Sequence, residues 1–126
     1  MIVHLDTSLM VGAFVPNGPA VHQLRALAAA GDHATFSSIA LFEWLRGPRT
    51  PGELQLRNVM FPDDVVAPFG PGEAERAARI YRALKGARRR EADIAIAACA
   101  IEHNAALWTL NPADFRDIPD LALYSG

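Results

Sequence analysis

Short apolar segments alternate with longer amphipathic segments along this chain of 126 residues. The apolar segments have the length of strands, and the longer segments repeat apolar residues at helical spacing. A helix between two strands is too long a connection for a hairpin, so successive strands are expected to run parallel. A parallel sheet needs helices on both of its faces. The pattern therefore predicts an α/β protein: a three-layer α/β/α sandwich with a central, mainly parallel sheet.

Individual elements follow from apolar runs and from residues that begin or end helices. The sequence predicts strands at residues 2–5, 34–37, 65–67, 105–110 and 121–124. It predicts a helix after Asp6 and further helices over residues 19–30, 39–46, 53–60, 73–84 and 93–103, with a short helical turn after Asn111. Ser37 and the capping box at Thr50 mark helix starts, and Gly31 marks a helix end.

Composition narrows the class of protein further. The hydrophobic content of 51% suffices for one core, which predicts a single domain over residues 1–126. The longest apolar run, residues 94–101, is far shorter than the roughly 20 residues that cross a bilayer, and no basic segment precedes Asp6. We therefore expect a cytoplasmic protein without a membrane partner. The single cysteine, Cys99, excludes an intramolecular disulfide and a cysteine-based zinc cluster.

Acidic residues occur where a parallel sheet places its functional site. Asp6 follows the first predicted strand, Asp114 follows the fourth, and Asp93 begins the helix that leads into the fourth. Ligands of open α/β sheets gather at the carboxyl ends of the strands. Each acid also has a simpler explanation, since Asp6 and Asp93 could cap helices and Asp114 could close a capping box.

A fourth acid, Glu43, lies in a predicted helix that is otherwise almost entirely apolar. A buried carboxylate without a partner costs several kcal/mol, so Glu43 requires one. A divalent cation shared by several carboxylates would supply it, and ligation by oxygen alone suits Mg²⁺ or Mn²⁺. We therefore expect a metal site whose ligands and catalytic groups are the same four residues: Asp6, Glu43, Asp93 and Asp114.

Carboxylates that hold Mg²⁺ indicate phosphoryl chemistry, because the cation activates water and stabilises the leaving oxygen of a phosphodiester. The chain has no P-loop, no dinucleotide-binding glycine motif and no pair of histidines at zinc spacing. The first strand leads into Asp-Thr-Ser rather than the Asp-x-Asp of haloacid-dehalogenase-type phosphatases, and Lys85 does not follow a strand as the lysine of receiver domains does. A nuclease is the better match.

Four segments in this order resemble the PIN-domain family, and in particular its VapC-like toxin ribonucleases: residues 5–8, 37–47, 93–100 and 109–115. The resemblance covers nearly the whole chain. It implies an α/β/α fold, endoribonuclease activity that depends on Mg²⁺ or Mn²⁺, and a homodimer. It also implies neutralisation by a small antitoxin protein encoded alongside.

The resemblance also implies roles for individual residues. The four acids match the acidic positions of the family. The polar positions that support acids or water are matched by Thr7, Ser8, Ser37 and Asn111. One departure is Ala40, which stands where the family often has threonine, and it removes no metal ligand.

Basic residues are concentrated in one part of a chain whose net charge is −2. Arg88, Arg89 and Arg90 lie just ahead of Asp93, which favours contact with RNA phosphates. The alternative is that this stretch only forms a solvated helix face.

The leading hypothesis is a metal-dependent endoribonuclease that acts on RNA as the toxin of a type II toxin–antitoxin pair. Two other functions remain open. The chain could be a catalytically silent PIN-like module that binds RNA or a protein, or a PIN nuclease of RNA processing that has no antitoxin.

Overall fold

A computed structural model describes residues 1–15 and 17–125 of the chain. This part contains three strands, namely β1 (Ile2–Leu5), β2 (His33–Thr35) and β3 (Ala106–Trp108). It contains six α-helices: α1 (Thr7–Ala13), α2 (Pro19–Ala29), α3 (Ser38–Leu45), α4 (Pro51–Met60), α5 (Pro71–Ala83) and α6 (Glu91–Glu102). Two single 3-10 turns cover Asp63–Val65 and Pro112–Asp114.

The three strands form one parallel sheet in the order β2-β1-β3. In its register, Val3 lies beside Ala34 on one side and Ala106 on the other. Val3 and Leu5 are fully buried because β1 is the central strand. The predicted α/β/α architecture is confirmed, and the carboxyl end of β1 lies between the ends of both neighbouring strands.

The predicted helix boundaries hold where capping chemistry is strong. The Ser37 hydroxyl accepts a hydrogen bond from the Ala40 N–H at the start of α3, and Thr50 forms the predicted capping box with Glu53. Gly31 has a φ of +85°, the left-handed conformation expected after a helix. Helices α4 and α5 each begin two residues earlier than predicted, because a proline with a preset φ occupies the first helical position.

Two predicted strands are wrong. Residues 63–65 form a 3-10 turn, and Ala67 makes only an isolated bridge to Ser37. Pro62 and Pro68 lack N–H donors on either side of this segment, which leaves too few residues for a ladder. Residues 121–124 also make a single bridge, between Leu123 and Leu107. Both segments lie outside the edge strands of the sheet, so each can pair with a neighbouring strand on one side only.

An aromatic cluster fills the core between the sheet and the helices. Phe14, at the end of α1, packs edge-on against Phe36, Trp44 and Phe61, with ring centroids 6.4, 5.1 and 5.9 Å away. Phe14, Phe36 and Trp44 are fully buried. Cys99 is buried in α6, and its burial raises the pKa of the thiol to about 12. Within residues 1–15 and 17–125, no helix is both long enough and apolar enough to cross a membrane.

Candidate functional site

Asp6 lies at the carboxyl end of the central strand, where its N–H donates a hydrogen bond of 2.9 Å to the carbonyl of Trp108. Its carboxylate Oδ2 accepts hydrogen bonds from the hydroxyls of Ser8, at 2.9 Å, and Thr109, at 2.7 Å. Asp6 occupies the N-cap position of α1, but its side chain makes no capping hydrogen bond. The capping explanation for this acid is therefore wrong, and neighbouring hydroxyls hold its carboxylate instead.

Thr109 contacts Asp6 and was not predicted as a site residue from the sequence. It directly follows β3, is 9% exposed, and also accepts a hydrogen bond from the N–H of Asn111. Ser8 in turn accepts one from the N–H of Leu110. The loops after β1 and β3 are thereby joined around Asp6. A hydroxyl residue directly after a buried strand was the available signal, but it becomes informative only once β3 is known to lie beside β1.

Glu43 approaches the same region from α3. Its side chain is 17% exposed, and its Oε1 accepts a hydrogen bond of 2.9 Å from the hydroxyl of Thr7. Arg46, one turn further along α3, lies 3.5 Å from Oε2 and is itself 63% exposed. Glu43 thus has the partners that its burial requires. The predicted polar residue Ser37 is buried and caps α3, so it helps to fix the helix that carries Glu43.

Asp93 lies in the first turn of α6, whose N-cap is Arg90, so Asp93 is not the capping residue. The pKa of Asp93 is raised from 3.8 to about 6, first by burial and then by the negative charges of Asp6, Glu43 and Asp114, against an opposing effect of Arg90. Like charges raise a carboxyl pKa only when they lie close by. The four predicted acids therefore share one electrostatic environment.

Asp114 is the most exposed of the four acids. It is the last residue of the 3-10 turn Pro112–Asp114, and the side chain of Asn111 does not cap this turn. The backbone carbonyl of Asp114 accepts a hydrogen bond of 2.8 Å from Arg90, which also forms an ion pair with Asp117. Asn111 is exposed beside this turn. Arg88 and Arg89 are exposed as well, whereas Arg90 is partly covered by its contacts.

The donor set of the site fits a hard divalent cation. In the part of the chain that the structure describes, no three histidine, cysteine or acidic side chains are close enough together to form a complete metal site. The four acids nevertheless offer oxygen ligands only, as Mg²⁺ and Mn²⁺ prefer. Burial raises the pKa of Asp93 most, and the negative charges of the other three acids also raise it. A cation would relieve this repulsion, so these residues fit the group.

The charge on Asp93 has a measurable consequence for stability. The pKa of Asp93 is about 6 in the folded protein, whereas in the unfolded chain it has the ordinary value of 3.8. As the pH rises, Asp93 therefore loses its proton first in the unfolded state. Asp93 therefore lowers the free energy of unfolding progressively between these two pH values. Without metal, Asp93→Asn is expected to be more stable than wild type at pH 7 by about 1–2 kcal/mol, less than the full shift implies because solvent screens the partly buried side chain, and to lose most of this advantage at pH 4.

Urea unfolding in EDTA at pH 4 and pH 7 measures this difference. Asp64→Asn is the matched control, because Asp64 is exposed in another turn. An Asp93→Asn protein that gains no stability at pH 7 would show that Asp93 carries no unfavourable charge.

The fold is an α/β fold with a parallel sheet, and the charges of three acids, Asp6, Glu43 and Asp114, act on a fourth, Asp93. The model of the family described as "PIN domain" matches residues 3–121. The chain therefore belongs to the PIN domain family. PIN domains are generally nucleases, and PIN nucleases generally depend on divalent metal.

Solved structures with the same fold include VapBC and FitAB proteins. VapBC2 from Rickettsia felis, bound to a promoter DNA fragment, matches with a TM-score of 0.74 and 22% identity over 98% of both chains. DNA-bound VapBC from Salmonella typhimurium matches with a TM-score of 0.73 and 20% identity, over 98% of this chain and 97% of the other. FitAcB from Neisseria gonorrhoeae matches with a TM-score of 0.66 and 23% identity, over 99% of this chain and 97% of the other. A search of curated proteins gives no match.

Proposed function

We propose that this protein is an endoribonuclease that depends on Mg²⁺ or Mn²⁺ and hydrolyses RNA phosphodiester bonds as the toxin of a toxin–antitoxin pair. One observation carries the proposal. In a PIN domain, the charges of Asp6, Glu43 and Asp114 all act on Asp93 at the carboxyl edge of the sheet. Carboxylate clusters of this kind suit a divalent cation and phosphoryl chemistry.

The partners of the structural neighbours support the toxin role. The neighbours are VapBC and FitAB assemblies, and several of them are bound to DNA. We extend this to the present chain as a proposal: a small antitoxin neutralises it, it forms a homodimer, and it acts in the cytoplasm on RNA.

The four acids Asp6, Glu43, Asp93 and Asp114 would hold the cation and form the catalytic centre. When bound, the cation supplies positive charge to the phosphodiester and lowers the pKa of attacking water. Metal ligation requires ionised carboxylates, and a pKa of about 6 leaves Asp93 mostly ionised at pH 7 even without metal.

Hydroxyl groups around the acids would keep their ligand atoms in place. Ser8 and Thr109 both donate to Oδ2 of Asp6, which fixes the rotation of that carboxylate. Thr7 does the same for Glu43, and Ser37 fixes the start of α3. Such supporting hydrogen bonds orient metal ligands. The exposed side chain of Asn111, beside the turn that carries Asp114, is proposed to orient an acid or water.

Arg88 and Arg89 are proposed to contact RNA phosphates next to the site. Both are exposed and lie between α5 and α6, close in sequence to Asp93. Replacing both with alanine should weaken RNA binding and reduce the slope of log K against log salt by about 1.4, because each phosphate contact on single-stranded RNA contributes about 0.7. Titration of labelled single-stranded RNA in EDTA at several salt concentrations measures the slope.

Arg25→Ala is the control for that titration, because it removes an exposed arginine of α2, outside this stretch. If the double variant keeps the wild-type slope, Arg88 and Arg89 belong to a solvated surface.

Incubation of the purified protein with labelled single-stranded RNA tests the proposed activity. We expect cleavage with Mg²⁺ or Mn²⁺, none in EDTA, and none of single-stranded DNA of matched sequence. Cleavage that persists in EDTA would contradict metal dependence. If the folded protein cuts none of a broad set of RNAs, a catalytically silent binding module becomes the better account.

Induced expression in a bacterial host separates the toxin from an RNA-processing nuclease. A toxin is expected to arrest growth, and co-expression of the small protein encoded beside it should restore growth. Normal growth with an active nuclease would favour RNA processing without an antitoxin.

A further inference from the structure

Arg90 connects two segments of the site through three short hydrogen bonds. Its Nη1 donates to Oδ2 of Asp117 at 2.8 Å, and its Nη2 donates to Oδ1 of the same residue at 2.7 Å. Nη2 also donates to the backbone carbonyl of Asp114 at 2.8 Å. A guanidinium that binds a carboxylate with both nitrogens is held in a defined orientation. Arg90 therefore fixes the loop over residues 114–117 against the start of α6.

The acid on this loop has little other support. Asp114 is exposed and ends a single 3-10 turn, in which its N–H donates to the carbonyl of Asn111. Phe115, which follows, is buried and anchors one side of the turn. Arg90 anchors the other side. Arg90 precedes Asp93 by three residues. The start of α6 therefore carries Asp93 and also, through Arg90, holds the loop that carries Asp114.

We propose that Arg90 is a positioning residue that holds Asp114 beside Asp93, so that both carboxylates can bind one divalent cation. This inference rests on the proposed function. It gives Arg90 a role different from that of Arg88 and Arg89, because both terminal nitrogens of Arg90 are already used within the protein. Lysine cannot replace it, since an ammonium group lacks the planar fork that binds both Asp117 oxygens.

A purely electrostatic role for Arg90 would have the opposite effect on metal affinity. A positive charge near four acids repels a cation, so the loss of that charge alone would strengthen metal binding. Loss of a positioning contact weakens metal binding, typically by 10–100-fold for residues that support metal ligands. The sign of the change in affinity therefore separates the two roles.

Mn²⁺ titration calorimetry on the folded protein measures this change. We expect Arg90→Gln and Arg90→Lys each to weaken Mn²⁺ binding by about 10-fold or more. Asp117→Asn, which breaks the fork from the other side, should also weaken it. The control is Arg116→Gln, which removes an exposed arginine from the same loop and should leave binding unchanged or slightly stronger. Equal or tighter binding in both Arg90 variants would overturn the proposal.

The same titration in a protein that already carries Asp114→Asn separates a positioning role of Arg90 from a general effect on stability. If Arg90 acts through Asp114, Arg90→Gln should cause no further loss of Mn²⁺ affinity in a protein that already carries Asp114→Asn. Arg90→Gln could instead reduce Mn²⁺ affinity by the same factor with and without Asp114→Asn, and lower the melting temperature equally in both. That result would show a merely structural role and overturn the proposal. If folded wild-type protein binds no Mn²⁺, the proposed metal-dependent function itself fails, which is a result distinct from these.

Discussion

Asp93→Asn should abolish RNA cleavage while leaving the fold intact, and Asp6→Asn should do the same. We expect kcat/KM to fall by about 10³-fold or more in each, because several kcal/mol of charge stabilisation depend on the bound cation. The negative charges of the other three acids act on Asp93. Asp6 lies at the end of the central strand, where two hydroxyls donate hydrogen bonds to its carboxylate. Cleavage of a labelled RNA in Mn²⁺ measures the loss.

Asparagine has nearly the same shape as aspartate, so these variants test charge rather than packing. Circular dichroism and the melting temperature should show that both variants remain folded, and Asp93→Asn should melt slightly higher than wild type at pH 7. Asp64→Asn removes an exposed acid from a turn outside the site and should cleave as wild type does. Activity within about tenfold of wild type in Asp93→Asn would remove that residue from the catalytic centre.

Phe14→Ala should have the largest effect on stability, a loss of about 3–5 kcal/mol in the free energy of unfolding. Phe14 is fully buried and lies at the centre of the cluster that it forms with Phe36, Trp44 and Phe61. Its removal leaves a cavity that three rigid rings fill poorly. Urea unfolding monitored by circular dichroism measures the loss.

Phe42→Ala is the matched control, because Phe42 is 60% exposed and should change stability by no more than about 0.5 kcal/mol. If Phe14→Ala does not fold, Phe14→Leu keeps more of the volume and should show a smaller loss of the same sign. Equal stabilities for Phe14→Ala and Phe42→Ala would contradict the central place of Phe14 in the core.

Local chemistry made much of the fold predictable. The central strand ends where Asp6 interrupts the apolar run, α3 begins at the hydroxyl cap of Ser37, and the capping box at Thr50 marks the start of α4. Each feature depends on residues a few positions apart. The two predicted strands at the sheet edges failed because their pairing depends on distant neighbours, and each makes only one bridge.

The acids of the candidate site were proposed for a different reason. Asp6 directly follows a predicted strand, and Glu43 lies in an apolar helix, where an unpartnered carboxylate costs several kcal/mol. Thr109 could not be assigned in this way, since its contact with Asp6 joins residues 103 positions apart. The role of Arg90 was equally hidden. In sequence it is one of three consecutive arginines, and only the loop that carries Asp117 distinguishes it from the other two.

Mn²⁺ titration calorimetry on wild type beside Asp93→Asn tests the central claim most directly, because it needs no knowledge of the RNA substrate. The measurement uses purified protein without any partner at pH 7, with the fold of both samples checked by circular dichroism. We expect wild type to bind Mn²⁺ and Asp93→Asn to lose that binding. A folded wild-type protein that binds no Mn²⁺ at millimolar concentration, or an Asp93→Asn protein that binds it equally well, would contradict the carboxylate metal site.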